Sequence, residues 1–235
     1  MTRRRWCSDS SWRDRTAGYG HLKTIEQRLR SEPYRPLIWV FYGDSVTHGA
    51  KHTSGWRDYP ELFAERIGYE MQRGRDMFIN SGESGNTTRH LLDDFDWRIT
   101  QFNPDVVSVM IGINDSSQGP EKRDVFRANL NEIVSRVSAT GAALLLNTTN
   151  PKIFSEGDLA GYNDIIREVA GAHDVELVDH WAHWMTAKPE DALRTNWMRD
   201  TCHPNEYGHR AVANLIFEHL GIFDPDSATC RLTVP

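Results

Sequence analysis

Short, continuous apolar runs recur along the chain and alternate with segments of helical periodicity. The runs occupy residues 37–42, 77–80, 105–111, 142–146 and 175–178. Continuous apolar runs, as opposed to alternating apolar and polar residues, are typical of parallel strands that are buried on both faces. Strands that alternate with helices favour one sheet covered on both sides. The sequence therefore predicts a single doubly wound, three-layer α/β/α domain with a parallel sheet of about five strands.

The intervening segments place apolar residues at helical spacing. Helices are predicted over residues 22–30, 56–73, 88–99, 120–140, 159–171 and 205–220. The clearest has an apolar stripe and ends at Gly141; the stripe consists of Val125, Phe126, Leu130, Ile133, Val134 and Val137. We expect residues 1–35 to be a partly helical extension, 36–222 the main domain and 223–235 a C-terminal tail.

Composition and charge narrow the class of protein. The chain has 235 residues and a formal net charge of -6, and residues 1–35 hold nine Lys and Arg against four Asp and Glu. An acidic body argues against nucleic acid as a partner. No apolar stretch approaches the ~20 residues that cross a bilayer, and the basic start has no apolar region of a secretory signal. Three cysteines without metal-like spacing favour a cytoplasmic protein.

Polar, glycine-containing clusters follow the predicted strands. Gly43-Asp44-Ser45 follows the first strand, Ser84-Gly85-Asn86 the second, and Gly112-Ile113-Asn114-Asp115 the third. Parallel strands end at one edge of the sheet, so these clusters should converge. A further cluster, Asp200-Thr201-Cys202-His203-Pro204-Asn205, precedes the last helix. Its acid can reach the histidine Nδ1 and leave Nε2 free to take a proton from a serine.

The order GDSxxxG, NxGxSGxTT, GxND and DxxHPN resembles the SGNH (GDSL) hydrolases across roughly residues 37–220. The resemblance implies the flavodoxin-like fold of that family and a serine esterase or acylhydrolase without a cofactor. It implies Ser45 as the nucleophile, His203 as the general base and Asp200 as its orienting acid. It also implies an oxyanion hole built from the backbone N–H groups of Ser45 and Gly85 and the side-chain amide of Asn114.

Other readings of the same residues stay open. An acyltransferase would use the same site. A metal-dependent phosphoesterase could draw on Asp44, Asn114, Asp200 and His203 as ligands, although the clustered His and Asp residues of a two-metal site are lacking. A catalytically silent binding module is a third class. We expect Asp44 and Asp115 to hold loops through hydrogen bonds, and Cys202 to be a small buried filler.

The substrate is predicted only by class, as a small-molecule ester with a short acyl group such as acetyl, on a sugar or another small alcohol. No long apolar lid segment is evident. Trp56 and Trp197 lie near the nucleophile and the acid in sequence and are candidates for the substrate pocket, with Trp181 and Trp184 as further candidates. Nothing in the sequence indicates an oligomeric state.

Overall fold

In a computed structural model, the residues described are 24–32, 34–49, 51–153, 158–186 and 196–231. The chain divides between Arg35 and Pro36 into two units. In the first unit, helix α1 spans Ile25–Leu29, and Thr24 caps its N-terminus through a reciprocal pair of hydrogen bonds with Gln27. The helix predicted over residues 22–30 therefore exists in shorter form, and its residue 22 lies outside the described residues.

The second unit is built on a parallel sheet of five strands in the order β2-β1-β3-β4-β5. This confirms the predicted doubly wound α/β class. The order reverses between β1 and β3, and Gly43 pairs with Met110 at the end of both. The segments that leave these two strands therefore emerge side by side, where open α/β sheets bind ligands. The strands are β1 Ile38–Gly43, β2 Met77–Asn80, β3 Val106–Met110, β4 Ala143–Asn147 and β5 Glu176–Val178.

Helices cover the sheet, and alternate residues of β1 face different layers. Val40 and Tyr42 belong to a core that includes apolar residues of α4, α5, α7 and α8, while Trp39 and Phe41 contact the ring of Phe63. The helices are α2 Ser45–His48, α3 Tyr59–Ala64, α4 Thr88–Asp93, α5 Phe95–Arg98, α6 Ile113–Ser116, α7 Arg123–Ala139, α8 Leu159–His173, α9 His180–Thr186, α10 Glu206–His219 and α11 Ala228–Arg231.

Several predicted helix boundaries are wrong, each for a local reason. The helix predicted from residue 56 begins at Tyr59, because Asp58 forms a capping box with Glu61, and it continues as a π-helical segment over Glu65–Glu70. The helix predicted over residues 88–99 is interrupted at Asp94. Residues Pro120–Lys122 form a separate 3₁₀ turn before α7.

Val125 is predicted on the buried stripe of α7, and this prediction is wrong, since the side chain is exposed. The rest of the stripe is buried as expected, from Phe126 through Leu130 to Val137. Neighbouring residues on a helix point about 100° apart, so Val125 falls beside the stripe.

Residues 227–230 pack against other parts of the second unit. The Ser227 hydroxyl and the Thr229 N–H donate hydrogen bonds of 2.6 and 3.1 Å to the carboxylate of Glu70. Asn214 on α10 donates to the carbonyl of Cys230. Among the helices described above, none combines the length and apolar character needed to cross a membrane.

Candidate active site

Ser45 lies where β1 turns into α2. A Cβ at Gly43 would come within 2.2 Å of the Met110 carbonyl oxygen, so only glycine lets β1 and β3 approach this closely. Asp44 caps α2 by accepting a 3.0 Å hydrogen bond from the Val46 N–H. Ser45 is the first residue of this helix, and its N–H donates no hydrogen bond within the described residues. The helix start thus presents both a hydroxyl and a free backbone donor.

Asp200 and His203 lie on a short hairpin before α10. Met198 and Pro204 form an antiparallel bridge. The N–H of Arg199 donates to the carbonyl of His203 at 2.8 Å, which closes the hairpin. Asn205 then caps α10, accepting from the N–H groups of its first turn. This turn chemistry fixes the spacing between the acid and the histidine.

The same hairpin is tied to the segment that follows β4. The N–H of Ile153 donates to the carbonyl of Thr201 at 2.8 Å. The side-chain amide of Asn150 donates to the carbonyl of Cys202 at 3.0 Å. These bonds hold the hairpin at the edge of the sheet where β1 ends, although no motif in the sequence indicates them.

Ser45, His203 and Asp200 come together in one hydrogen-bonded line. Ser45 Oγ lies 2.9 Å from His203 Nε2, and His203 Nδ1 lies 3.0 Å from both carboxylate oxygens of Asp200. A carboxylate accepts only, so Nδ1 carries the proton and Nε2 accepts from the serine hydroxyl. The arrangement allows Nε2 to remove the serine proton.

The Asp200 carboxylate is also held by the backbone. The N–H groups of Cys202 and His203 each donate to Oδ1 at 2.8 Å. Partial burial acts to raise the pKa of Asp200, but these two amides and the His203 ring outweigh it and hold the pKa below its usual value. The carboxylate therefore stays charged and available to the imidazole at mildly acidic pH.

Gly85 lies on the loop after β2, and Asn114 lies on the short helix α6 that follows β3. Gly85 has a φ of +90°, a conformation that favours glycine, and its N–H donates no hydrogen bond within the described residues. The Asn114 side chain donates one amide hydrogen to the Asn86 carbonyl at 2.8 Å. An amide nitrogen carries two hydrogens, so one remains for a ligand.

Asp115 links the segments that follow β2 and β3 through hydrogen bonds, as the sequence predicts. It accepts hydrogen bonds from the hydroxyl of Thr88 at 2.6 Å and from its N–H at 3.0 Å. Asp44 likewise holds its own turn, but its second oxygen is buried without a partner among the described residues. Burial, with the charge of Asp115 as a smaller contribution, raises the pKa of Asp44 to about 7. Both acids serve the scaffold of the site.

His52, which the sequence analysis does not select, lies against the predicted base. Its ring stacks on that of His203 with centroids 3.3 Å apart and planes 5° apart. Its Nδ1 lies 3.6 Å from Asp200 Oδ2. The residue follows α2 in a turn segment that carries no motif, so its place at the site follows from folding alone.

The tryptophan candidates differ in their surroundings. Trp197 is half-buried and packs edge-on against Trp184, with centroids 5.0 Å apart, and parallel to His183. Trp184 is itself buried, so its ring packs against other residues of the protein. Trp56 is half-buried before α3 and makes no ring contact within the described residues. Trp181 is half-buried on α9.

The thiol of Cys202 is half-buried between the acid and the histidine. Burial raises the pKa of Cys202 to about 11, so the thiol stays protonated and poorly reactive at neutral pH. The sequence predicts a small buried filler at this position, and the side chain is only half-buried.

Within the described residues, one group offers donors close enough to hold a metal ion. It consists of His52, Asp200 and His203, whose ligand atoms lie within 4.8 Å of one another. Imidazole nitrogens bind metals in the plane of the ring. The two rings lie in parallel planes, so their lone pairs do not point at one common ion. Asp44, which the sequence analysis names as a further possible ligand, is not part of the group.

Known proteins match most of the chain. The model of the GDSL-like lipase/acylhydrolase family matches residues 41–211. An arylesterase from Vibrio mimicus is 26% identical over 182 residues, which cover 76% of this chain and 85% of that protein.

Solved structures share the fold. LAE5, an α/β hydrolase from the metagenome of Lake Arreo, has a TM-score of 0.69 at 25% identity and covers 80% of this chain and 96% of its own. The acetyl xylan esterase AlAXEase has a TM-score of 0.68 at 25% identity, with 77% and 98% coverage. The chain belongs to the GDSL-like lipase/acylhydrolase family and is an ester hydrolase.

Proposed function

We propose that the protein hydrolyses carboxylic esters through an acyl-enzyme on Ser45. Its Oγ attacks the ester carbonyl carbon while His203 Nε2 takes the hydroxyl proton. The same proton then passes to the leaving alcohol. A water molecule, deprotonated by His203, attacks the acyl carbon; the bond from that carbon to Ser45 Oγ breaks, Oγ takes the proton back from His203, and the acid leaves. The observation that carries the proposal is the 2.9 Å contact from Ser45 Oγ to Nε2, with Nδ1 held by Asp200.

The tetrahedral intermediate places a negative charge on the former carbonyl oxygen. We assign its stabilisation to the N–H groups of Ser45 and Gly85 and to the Asn114 amide. The support is that both N–H groups donate no other hydrogen bond in the described residues, and that the amide is oriented by Asn86. Each such donor contributes roughly 3–4 kcal/mol to transition-state stabilisation.

The substrate proposed is a short acyl ester, an acetyl group on a sugar or another small alcohol. The name of the similar acetyl xylan esterase supports this class. Trp56 offers a half-buried aromatic face without a ring partner in the described residues, the kind of surface that sugars contact. We propose Trp56 for the pocket on this basis, whereas the packing of Trp197 against Trp184 favours a supporting role.

Hydrolysis is favoured over acyl transfer by the exposure of the site. The Asp200 side chain is 44% exposed beside the histidine, so water reaches the base. A transferase with the same residues has to exclude water from the acyl-enzyme. Incubation with p-nitrophenyl acetate and a sugar acceptor should yield free acetate, and a predominantly acetylated acceptor would favour the transferase.

The proposal is tested with Ser45→Ala, with Ser135→Ala on the exposed face of α7 as the matched control. Ser45→Ala should abolish turnover of p-nitrophenyl acetate and labelling by a fluorophosphonate probe, and the control should keep both. Labelling of Ser45→Ala at full stoichiometry would place the nucleophile elsewhere. Wild-type protein that binds an acylated ligand without being labelled would indicate a silent binding module.

A chelator separates this mechanism from the phosphoesterase alternative. The proposed reaction uses only side chains, so turnover should survive dialysis against EDTA. Loss of turnover, with rescue by a divalent metal, would support a metal-dependent phosphoesterase.

We also propose a cytoplasmic location, which the free thiols of Cys202 and Cys230 support. The proposed boundaries are a catalytic domain over residues 36–222, an extension before it and a tail over 223–235. The proposed partner is a small-molecule ester substrate, and no oligomeric state is proposed.

A further inference from the structure

The closest ring contact at the site joins two histidines that are far apart in sequence. His52 lies before α3 and His203 before α10, yet their ring centroids are 3.3 Å apart and their planes are nearly parallel. At this separation the two faces are in van der Waals contact. His203 therefore cannot tilt toward His52 without a clash, and His52 limits the ring to one plane.

Asp200 by itself is a weak restraint on that plane. Its side chain is 44% exposed, so water competes with His203 for the carboxylate. The proposed reaction needs His203 to face Asp200 through Nδ1 and Ser45 through Nε2 at the same time. A flat neighbour contributes to this, since a stacked ring blocks tilt of His203 toward it and leaves motion within the plane that contains both nitrogens.

The charge of His52 suits this role. Burial lowers the pKa of His52, and positive charge on His203 lowers it further, as does Lys51, while Asp200 acts in the opposite direction. His209, which interacts electrostatically with this pair, is buried, and its pKa is lowered to about 3. A neutral His52 stacks on the imidazolium formed during proton transfer without repelling it.

The distances from the two histidines to Asp200 agree with a positioning role for His52. His52 Nδ1 lies 3.6 Å from Asp200 Oδ2, beyond hydrogen-bond range, whereas His203 Nδ1 lies 3.0 Å from both oxygens. The carboxylate therefore serves His203, and His52 does not compete for it while it is neutral.

We propose that His52 is a positioning residue that holds the imidazole of His203 in the plane shared by Ser45 and Asp200. The inference rests on the proposed function, because the plane of His203 matters to turnover only if that ring is the base.

The test compares His52→Ala, His52→Gln and His52→Phe. Phenylalanine keeps a flat ring, while glutamine fills space without one. We expect kcat for p-nitrophenyl acetate to fall about tenfold in the alanine and glutamine variants, with KM within about twofold of wild type, because base orientation acts on the chemical step. His52→Phe should stay within about threefold of wild type in kcat. His173→Ala, which removes an exposed histidine of α8, is the matched control.

The rate of fluorophosphonate labelling should follow kcat, since it reports activation of Ser45 without substrate binding. Wild-type labelling and kcat in His52→Ala would overturn the inference, and so would equal loss in the phenylalanine and alanine variants. Zn²⁺ activation that requires His52 would overturn it in favour of a metal site. Ser45→Ala separates the two proposals: if that variant is still labelled, the proposed function fails, and if only the His52 variants behave as wild type, the positioning role alone fails.

Discussion

Asn114 donates a hydrogen bond of 2.8 Å from its side-chain amide to the backbone carbonyl of Asn86, the residue that follows Gly85. This bond couples helix α6, which follows β3, to the loop after β2. It fixes the rotation of the amide, so the second hydrogen points in one direction before substrate arrives. Donors oriented in advance need no rearrangement as charge develops.

Replacing Asn114 should therefore slow the chemical step more than it weakens binding. We expect Asn114→Ala to lower kcat for p-nitrophenyl acetate by about 10²–10³ with little change in KM. Asn114→Asp keeps the shape but replaces the donor with an acceptor, and it should be no more active than the alanine variant. Equal kcat in Asn114→Asp and wild type would contradict the oxyanion assignment.

Asp200→Asn should disturb the orientation of His203 without affecting the stability of the fold. The substitution keeps an oxygen for the N–H groups of Cys202 and His203, so the melting temperature should change little. We expect kcat to fall about 10²–10⁴-fold, because an amide can favour the wrong tautomer of the histidine. Steady-state kinetics and thermal unfolding of the same preparation test both parts. A kcat within about twofold of wild type would exclude an orienting role for Asp200.

The Thr88–Asp115 bond should contribute measurably to stability. Thr88→Val keeps the shape of the side chain but removes the hydroxyl that donates to Asp115 at 2.6 Å and accepts from the Asn129 amide at 3.1 Å. Loss of a hydrogen bond to a buried carboxylate costs about 1–3 kcal/mol, so the urea midpoint should fall accordingly. Thr186→Val, at an exposed threonine of α9, is the control and should change the midpoint little. Equal midpoints for Thr88→Val and wild type would show that the bond is dispensable.

His209 should make stability depend on pH. Its Nδ1 accepts a hydrogen bond from the Tyr59 N–H, and burial lowers its pKa to about 3, with the charges of His203 and His52 acting in the same direction. The unfolded chain binds this proton near pH 6.5, about three units higher, so His209 lowers wild-type stability as the pH falls from about 6.5 toward 3.

The variant His209→Gln lacks this titration. It should be less stable than wild type at pH 8, and the difference should shrink by about 2 kcal/mol at pH 5. Urea unfolding at both pH values, with His173→Gln as the control for an exposed histidine, measures the change. A difference that stays constant or widens at pH 5 would contradict a neutral, buried His209.

Much of the fold follows from patterns that are local in sequence. Continuous apolar runs such as 106–110 are buried on both faces, and the sheet that they form is parallel, as predicted. Element ends were less predictable. Helix α3 begins at Tyr59, three residues after the predicted start at Trp56, because the carboxylate of its N-cap residue Asp58 accepts a hydrogen bond from the N–H of Glu61. Whether a side chain can reach such an N–H group depends on backbone angles, and the spacing of apolar residues does not reveal these angles.

The site shows the same division. Ser45, Asp200 and His203 are predicted from motifs, and they lie within hydrogen-bond range of one another in the folded chain. Two hydrogen bonds hold the hairpin in place, from Ile153 to Thr201 and from Asn150 to Cys202. They connect it to the segment after β4, in which no sequence motif is recognisable. Their contribution emerges only when β4 and α10 are packed on the sheet.

The sequence by itself determined the parallel sheet, the order of its loops and the residue types available for ester chemistry, because periodicity and turn residues act over a few positions. Only the tertiary structure decided that His52 stacks on His203 and that Val125 faces solvent. These outcomes depend on the packing of elements distant in the chain, and the free energy of that packing is set by shape and solvent exclusion across the whole domain.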